Sequence, residues 1–218
     1  MDLQNNAIFQ IVGPSGSGKT HFVCKLLQNP GMFQTPRFNH IYWHQGSGDD
    51  GESGLTGKEF CKLKSMTVID GFDENWSSRL RNGDVIVIDD LFQEAAKQAD
   101  FNNLFTKIAR HRGVTVIFIT QNMFHQGGQH RTRNLNVHYL VLFKNPRDQT
   151  AVDYIARQAF PHNRSYLIDA YHDATAKPHG YLLIDFTQQC PDDMRVRTDI
   201  FNTKGVHVYK QINKTNVL

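Results

Sequence analysis

The run Gly13-Pro14-Ser15-Gly16-Ser17-Gly18-Lys19-Thr20 has the spacing G-x-x-x-x-G-K-[ST], which suits a loop that binds phosphates. Glycines permit backbone angles that turn successive N–H groups inward around a polyphosphate, and a helix that follows directs its positive end to the same point. In such a loop the backbone of Gly13 to Gly18 forms the cradle and Lys19 reaches the β- and γ-phosphates. The Thr20 hydroxyl then ligates Mg²⁺. With glycine at about 7% of residues, chance produces the pattern in roughly one chain per hundred of this length. The implied ligands are ATP and Mg²⁺.

Asp89 and Asp90 close the apolar run Val85-Ile86-Val87-Ile88. A carboxylate at a strand end beside a phosphate loop is suited to hold the Mg²⁺ shell, and Asp89 takes that role. Asp90 is the candidate to accept a proton from, or orient, an attacking water. Glu is the more usual residue there, and Asp is equally a favoured helix cap. Gln121 follows the apolar run Val114 to Thr120; its carboxamide offers a donor and an acceptor together, enough to sense a γ-phosphate or position water. It could also simply begin a loop. Arg110, Arg112, Arg131 and Arg133 flank that run. A guanidinium delivered from a neighbouring subunit would stabilise transition-state charge. Arg131 is the first candidate and Arg112 the second.

The elements that must position these groups alternate along the chain. Ala7 to Val12 reads as a buried strand running into the glycine loop. Phe22, Val23, Leu26 and Leu27 then recur at helical spacing, and Pro30 and Gly31 stop that helix. Further strands are expected at Ile41–Trp43, Met66–Ile69, Asp84–Asp90, Val114–Thr120 and Tyr139–Phe143, with an outer strand at Tyr181–Phe186. Helical patterns fall near Lys58–Leu63, at Leu104–Ala109 and at Thr150–Phe160. The Gly46 to Gly57 stretch reads as a loop, and the polar chain from Asn202 onward reads as an arm or a frayed end. Continuously apolar strands separated by helices predict an α/β fold: a mostly parallel sheet covered by helices on both faces, with ligands beyond the carboxyl ends of its strands. The glycine loop, Asp89-Asp90 and Gln121 all lie at such ends.

Composition sets the outer limits. A charge of +3, from 24 basic and 21 acidic residues, is too mild to mark a nucleic-acid binder on its own. No apolar run approaches the roughly 18 residues of a membrane span, and the first residues lack a signal-peptide pattern. Cys24, Cys61 and Cys190 are scattered and odd in number, which disfavours a secreted disulfide scaffold and a zinc finger and suits a soluble protein of a reducing, intracellular compartment. The eleven histidines form no metal box.

Taken together, Gly13 to Thr20, Val85 to Asp90 and Val116 to Asn122 resemble the HerA–FtsK superfamily of P-loop ATPases, an ASCE/RecA-like group in which a strand-end Gln follows the acidic strand. Ile119 to Gln126, Arg131, Asn136 and Tyr139 to Asp148 are similar to the genome-packaging ATPases of double-stranded DNA viruses and of Polinton (Maverick) elements and adintoviruses. The likeness covers roughly residues 5 to 160, so residues 1–160 are read as the ATPase core and 161–218 as a C-terminal extension with a polar tail. The resemblance implies a ring-shaped homo-oligomer, double-stranded DNA and a capsid or portal protein as partners, and a place in the host nucleus or cytoplasm or with the virion. Two rivals share the loop and sheet. A nucleoside or nucleotide kinase would need a lid that is not evident between Asp89 and Val114, and a nucleotide-binding scaffold would show no turnover. A DNA translocase outside packaging is a further variant of the leading reading.

Overall fold

Strands that are apolar at every position require cover on both faces, and the sheet alternates its side chains between two cores. The fold is given by a computed structural model, which describes residues 2–46, 61–72, 75–97, 101–104, 107, 109–123 and 136–211. The strands are β1 (Ile8–Val12), β2 (Ile41–Gln45), β3 (Met66–Asp70), β4 (Val85–Asp89), β5 (Thr115–Thr120), β6 (Tyr139–Phe143), β7 (Tyr181–Asp185), β8 (Val196–Thr198) and β9 (His207–Tyr209). They form one sheet in the order β3-β2-β4-β5-β1-β6-β7-β8-β9. From β3 through β6 every pairing is parallel; β7, β8 and β9 add on antiparallel.

The period of two is visible in each central strand. Phe9 and Ile11 of β1, Val85 and Val87 of β4, and Ile117 and Ile119 of β5 face one core, together with Phe22, Val23, Leu26 and Leu27 of helix α1 (Lys19–Gln28). Ile8, Ile86, Ile88, Val116 and Phe118 face the other. There they meet short helices α2 (Trp76–Arg79), α3 (Phe92–Lys97), α4 (Phe101–Asn103) and α5 (Ala109–Arg112), and the longer α6 (Thr150–Ala159) and α7 (Arg164–Ala174). Each fully buried Val, Leu, Ile or Phe contributes about 1.5–3 kcal/mol relative to exposure, so a strand buried on both sides is the strongest local commitment this sequence makes.

Several details depart from the expectations. The strand beginning at Tyr181 is an interior strand, buried along its whole length, because β8 and β9 continue the sheet beyond it. Chain after Asn202 that reads as an arm includes β9, whose Tyr209 pairs with Val196. Helix α7, unanticipated, buries Leu167, Ala170, Tyr171 and Ala174. Cys24 of α1 is joined to Cys61 by a disulfide with Cα atoms 4.8 Å apart, a pairing their separation in the sequence does not reveal, while Cys190 is free and buried. The helix expected near Lys58 and the loop at 46–57 lie mostly outside the described residues. Among the described residues no helix is long and apolar enough to cross a membrane.

Candidate active site

Register alone brings the motifs together. Val12 at the end of β1 stands opposite Thr120 at the end of β5, and Ile119 of β5 stands opposite Asp89 of β4. The chain therefore leaves β1, β5 and β4 at one edge, with Gln121 emerging between the glycine loop and the two carboxylates. The sequence expectation that three polar features share the carboxyl edge describes this arrangement.

The loop has the backbone that a phosphate cradle needs. Gly18 caps α1 in the left-handed region at φ 103°, a conformation that L side chains rarely adopt. At Gly13 a Cβ would lie 2.7 Å from both the Phe143 Cβ and the Ser17 Oγ, so glycine is required there by crowding. Pro14, Ser15, Gly16 and Ser17 complete the turn, with the Ser17 N–H donating to the Pro14 carbonyl at 3.2 Å. Lys19 is buried and its Nζ donates to the Pro14 carbonyl at 3.0 Å, folding the ammonium back over the loop.

Burial pulls the Lys19 ammonium's pKa down, and the Asp90 and Asp89 carboxylates oppose that pull. Half-buried Asp89 is pushed up to about 6, first by burial and next by the Asp90 charge; Lys19, the Thr20 hydroxyl and the Trp43 indole act in the opposite sense. Trp43 Nε1 lies near enough to favour the charged carboxylate, yet it makes no hydrogen bond of good geometry within the described residues. Ser17 Oγ and Thr120 Oγ1 are likewise buried without a hydrogen-bond partner. Buried polar atoms are nearly always paired. Three orphans around one carboxylate and one glycine loop, beside a carboxylate whose charge is disfavoured, fit a site built to receive a polyphosphate and a divalent cation. Thr20 and Asp89 are the oxygen ligands at hand for Mg²⁺.

Asp90 is exposed and sits at φ 53°, a left-handed conformation that Asp tolerates better than most residues. Its N–H donates to the Ile119 carbonyl at 3.2 Å, and Gln121 Nε2 donates to Asp90 Oδ2 at 3.3 Å, a long hydrogen bond that joins the proposed base to the proposed sensor. The alternative role as a helix cap finds no support in the chain trace. Helix α3 starts at Phe92, and Leu91 holds the capping position, its carbonyl accepting from the Ala95 N–H.

Arg112 is not part of this cluster. It is exposed at the end of α5, at the opposite end of β5 from Gln121, and donates to the Ser77 carbonyl. Arg131 and Arg133 lie outside the described residues, and Arg110 lies in α5. Three groups that the sequence reading did not single out do approach the loop. Lys144, Lys177 and His179 line a cavity of about 400 Å³ along Ser15 to Ser17. His179 Nδ1 is 3.1 Å from the Ser17 carbonyl, to which its N–H donates. Lys144 could have been found as the residue after β6 at the same sheet edge; Lys177 and His179 follow α7 in a segment with no recognisable pattern. A separate cavity of about 620 Å³ opens near Gln4, Asp185, Cys190 and Arg197. It holds none of the motif residues, and its charges are already committed, with Arg197 Nη2 at 3.2 Å from Asp185 Oδ2.

No family model matches the chain, and no curated protein matches it. Among solved structures it is similar to the genome packaging NTPase B204 from Sulfolobus turreted icosahedral virus 2, solved in complex with ATP-gammaS. The likeness has a TM-score of 0.55 at 13% identity and covers 96% of this chain and 100% of that one. A weaker likeness, TM-score 0.48 at 13% identity over 94% of this chain and 90% of the other, is to the KaiC-like protein PH0186 from Pyrococcus horikoshii OT3. The fold is that of a P-loop NTPase: an α/β protein with a mostly parallel sheet and helices on both faces.

Proposed function

We propose that this protein is a Mg²⁺-dependent ATPase of the HerA–FtsK type that couples ATP hydrolysis to translocation of double-stranded DNA into a virus-like capsid. The observation that carries the enzymatic part is the convergence of Lys19, Thr20, Asp89, Asp90 and Gln121 on one sheet edge, with Gln121 in contact with Asp90. The backbone N–H groups of Gly13 to Gly18 and the Lys19 ammonium bind the phosphates of ATP. Thr20 and Asp89 would hold Mg²⁺, which when bound neutralises charge on the β- and γ-phosphates. Exposed Asp90 takes the proton from the attacking water while Gln121, donating to the same carboxylate, orients it. Arg131, or Arg112, completes the site of a neighbouring subunit in a ring.

Packaging rests on other support: the resemblance of Gln121 to Asp148 to the packaging ATPases, and a fold shared with an NTPase of that kind. Double-stranded DNA and a capsid or portal protein are the partners this reading requires. Its test is ATP turnover by the purified chain with Mg²⁺. Turnover should rise with duplex DNA and not with nucleosides, and Lys19→Ala should abolish it. Stimulation by nucleosides with transfer of phosphate to them would replace the motor by a kinase, and no turnover at all would leave a nucleotide-binding scaffold.

A further inference from the structure

Beside the first turn of α1 the chain forms a cavity of about 460 Å³ that continues outward from the phosphate loop, sharing Gly18 with it. Its walls are Phe22, Phe143, Tyr181 and Phe201, with His21, Lys25 and His179 at the mouth. The aromatic rings already pack among themselves: Phe22 meets Tyr181 edge-on at 4.8 Å and Phe201 at 5.2 Å between centroids. Phe201 remains half-buried, and Lys25 Nζ sits 4.9 Å from its ring centroid. His179, the same residue that touches the Ser17 carbonyl, packs so near Gly18 that a Cβ there would be 3.2 Å from its Nδ1. A volume of this size, lined by aromatic carbon with a few polar tips, has the character of a small-molecule subsite rather than of a surface dent.

We infer that this cavity receives the base and ribose of the nucleotide whose triphosphate lies on Gly13 to Thr20, with Phe201 and His179 as the stacking residues, and that it accepts adenine and guanine alike. The inference rests on the nucleotide-binding reading above. Occupancy by a base follows from continuity: His21 comes directly after Thr20, so a ligand leaving the loop along α1 meets His21, then Lys25 and the rings. Tolerance follows from the lining. Aromatic faces stack on any purine regardless of its exocyclic groups. The polar tips are two imidazoles and one ammonium on a flexible stem, the Tyr181 hydroxyl being already engaged by the Ile200 N–H, and no carboxylate or carboxamide is among the described lining residues. Neither purine edge therefore meets a fixed complement.

Calorimetric titration of the full chain with Mg²⁺ and ATP, GTP or inorganic tripolyphosphate tests this. Phe201→Ala should weaken ATP and GTP by about tenfold and leave tripolyphosphate unchanged. The wild type should bind ATP and GTP within about tenfold of each other. Since Phe201 also packs against Phe22, Phe201→Leu serves as the companion: it keeps apolar bulk without a ring face and should weaken ATP at an unchanged melting temperature. Equal losses for ATP and tripolyphosphate, undiminished ATP binding in these variants, or rejection of GTP by more than a hundredfold would each overturn the inference. Failure of the underlying reading looks different: the wild type would bind neither ATP nor tripolyphosphate, or Lys19→Ala would bind both as well as the wild type does.

Discussion

Replacing Asp89 with Asn should make the nucleotide-free protein more stable while removing its activity. Burial and the Asp90 charge raise the Asp89 carboxyl from 3.8 to about 6. At about 1.4 kcal/mol per tenfold change in proton affinity, the ionised form costs the native state up to about 3 kcal/mol. Asp89 is half-buried rather than sealed, so about 2–3 kcal/mol is the working figure. The sign follows from linkage. Between about pH 4 and pH 6 the native state holds this proton more tightly than the unfolded chain does, so the carboxyl's contribution to stability falls as pH rises through that window and is level above it. Asn mimics the protonated form at every pH. The gap in melting temperature between Asp89→Asn and wild type should therefore shrink to about a third of its full size at pH 4.5. At pH 8, for a chain of this length, it should open to roughly 4–12 °C. Thermal melts in EDTA across that range measure it, with Mg²⁺-ATP turnover recorded alongside. A variant that melts no higher than wild type at pH 8, or a gap of equal size at pH 4.5, would refute the claim that Asp89 is held as an unfavourable charge awaiting a cation.

Other perturbations separate the roles of neighbouring groups. Asp90→Asn should reduce turnover by at least a hundredfold while nucleotide affinity stays within a few-fold, as single-turnover and binding measurements would show. Gly18→Ala forces a Cβ into a φ of 103° next to His179 and should cost about 1 kcal/mol or more of stability, read from a melting curve, with a loss of ATP affinity. Arg131→Ala should bind ATP and lose turnover. If the double variant Arg131→Ala, Arg112→Ala hydrolyses ATP at the wild-type rate, no arginine acts between subunits by this route.

How far the sequence could be read depended on how many independent constraints met at a residue. Lys19, Thr20 and Asp89 were legible because a motif and a strand end agree on each of them, and the sheet order places β5 where Gln121 falls between them. Strands buried on both sides announced themselves through runs such as Val85 to Ile88. Strand β9 did not, since His207, Val208 and Tyr209 are a short edge strand with exposed positions, and the ladder to Val196 that defines it is long-range. His179 was invisible for a similar reason: its place beside Gly18 depends on the turn that leads from α7 back into β7. The Cys24–Cys61 pairing, too, is a product of the fold bringing α1 against the chain before β3.

The C-terminal strands carry a practical consequence for anyone dissecting the chain. Because β7 pairs with β6 along Tyr139 to Phe143, cutting after residue 160 would strip the ladder from one side of a wholly apolar strand and bare its unpaired amides to solvent. The same cut would uncover Phe22 and Phe143 beside the loop. Such a fragment should precipitate or stick to itself, and its silence in an assay would report insolubility rather than the absence of catalytic parts.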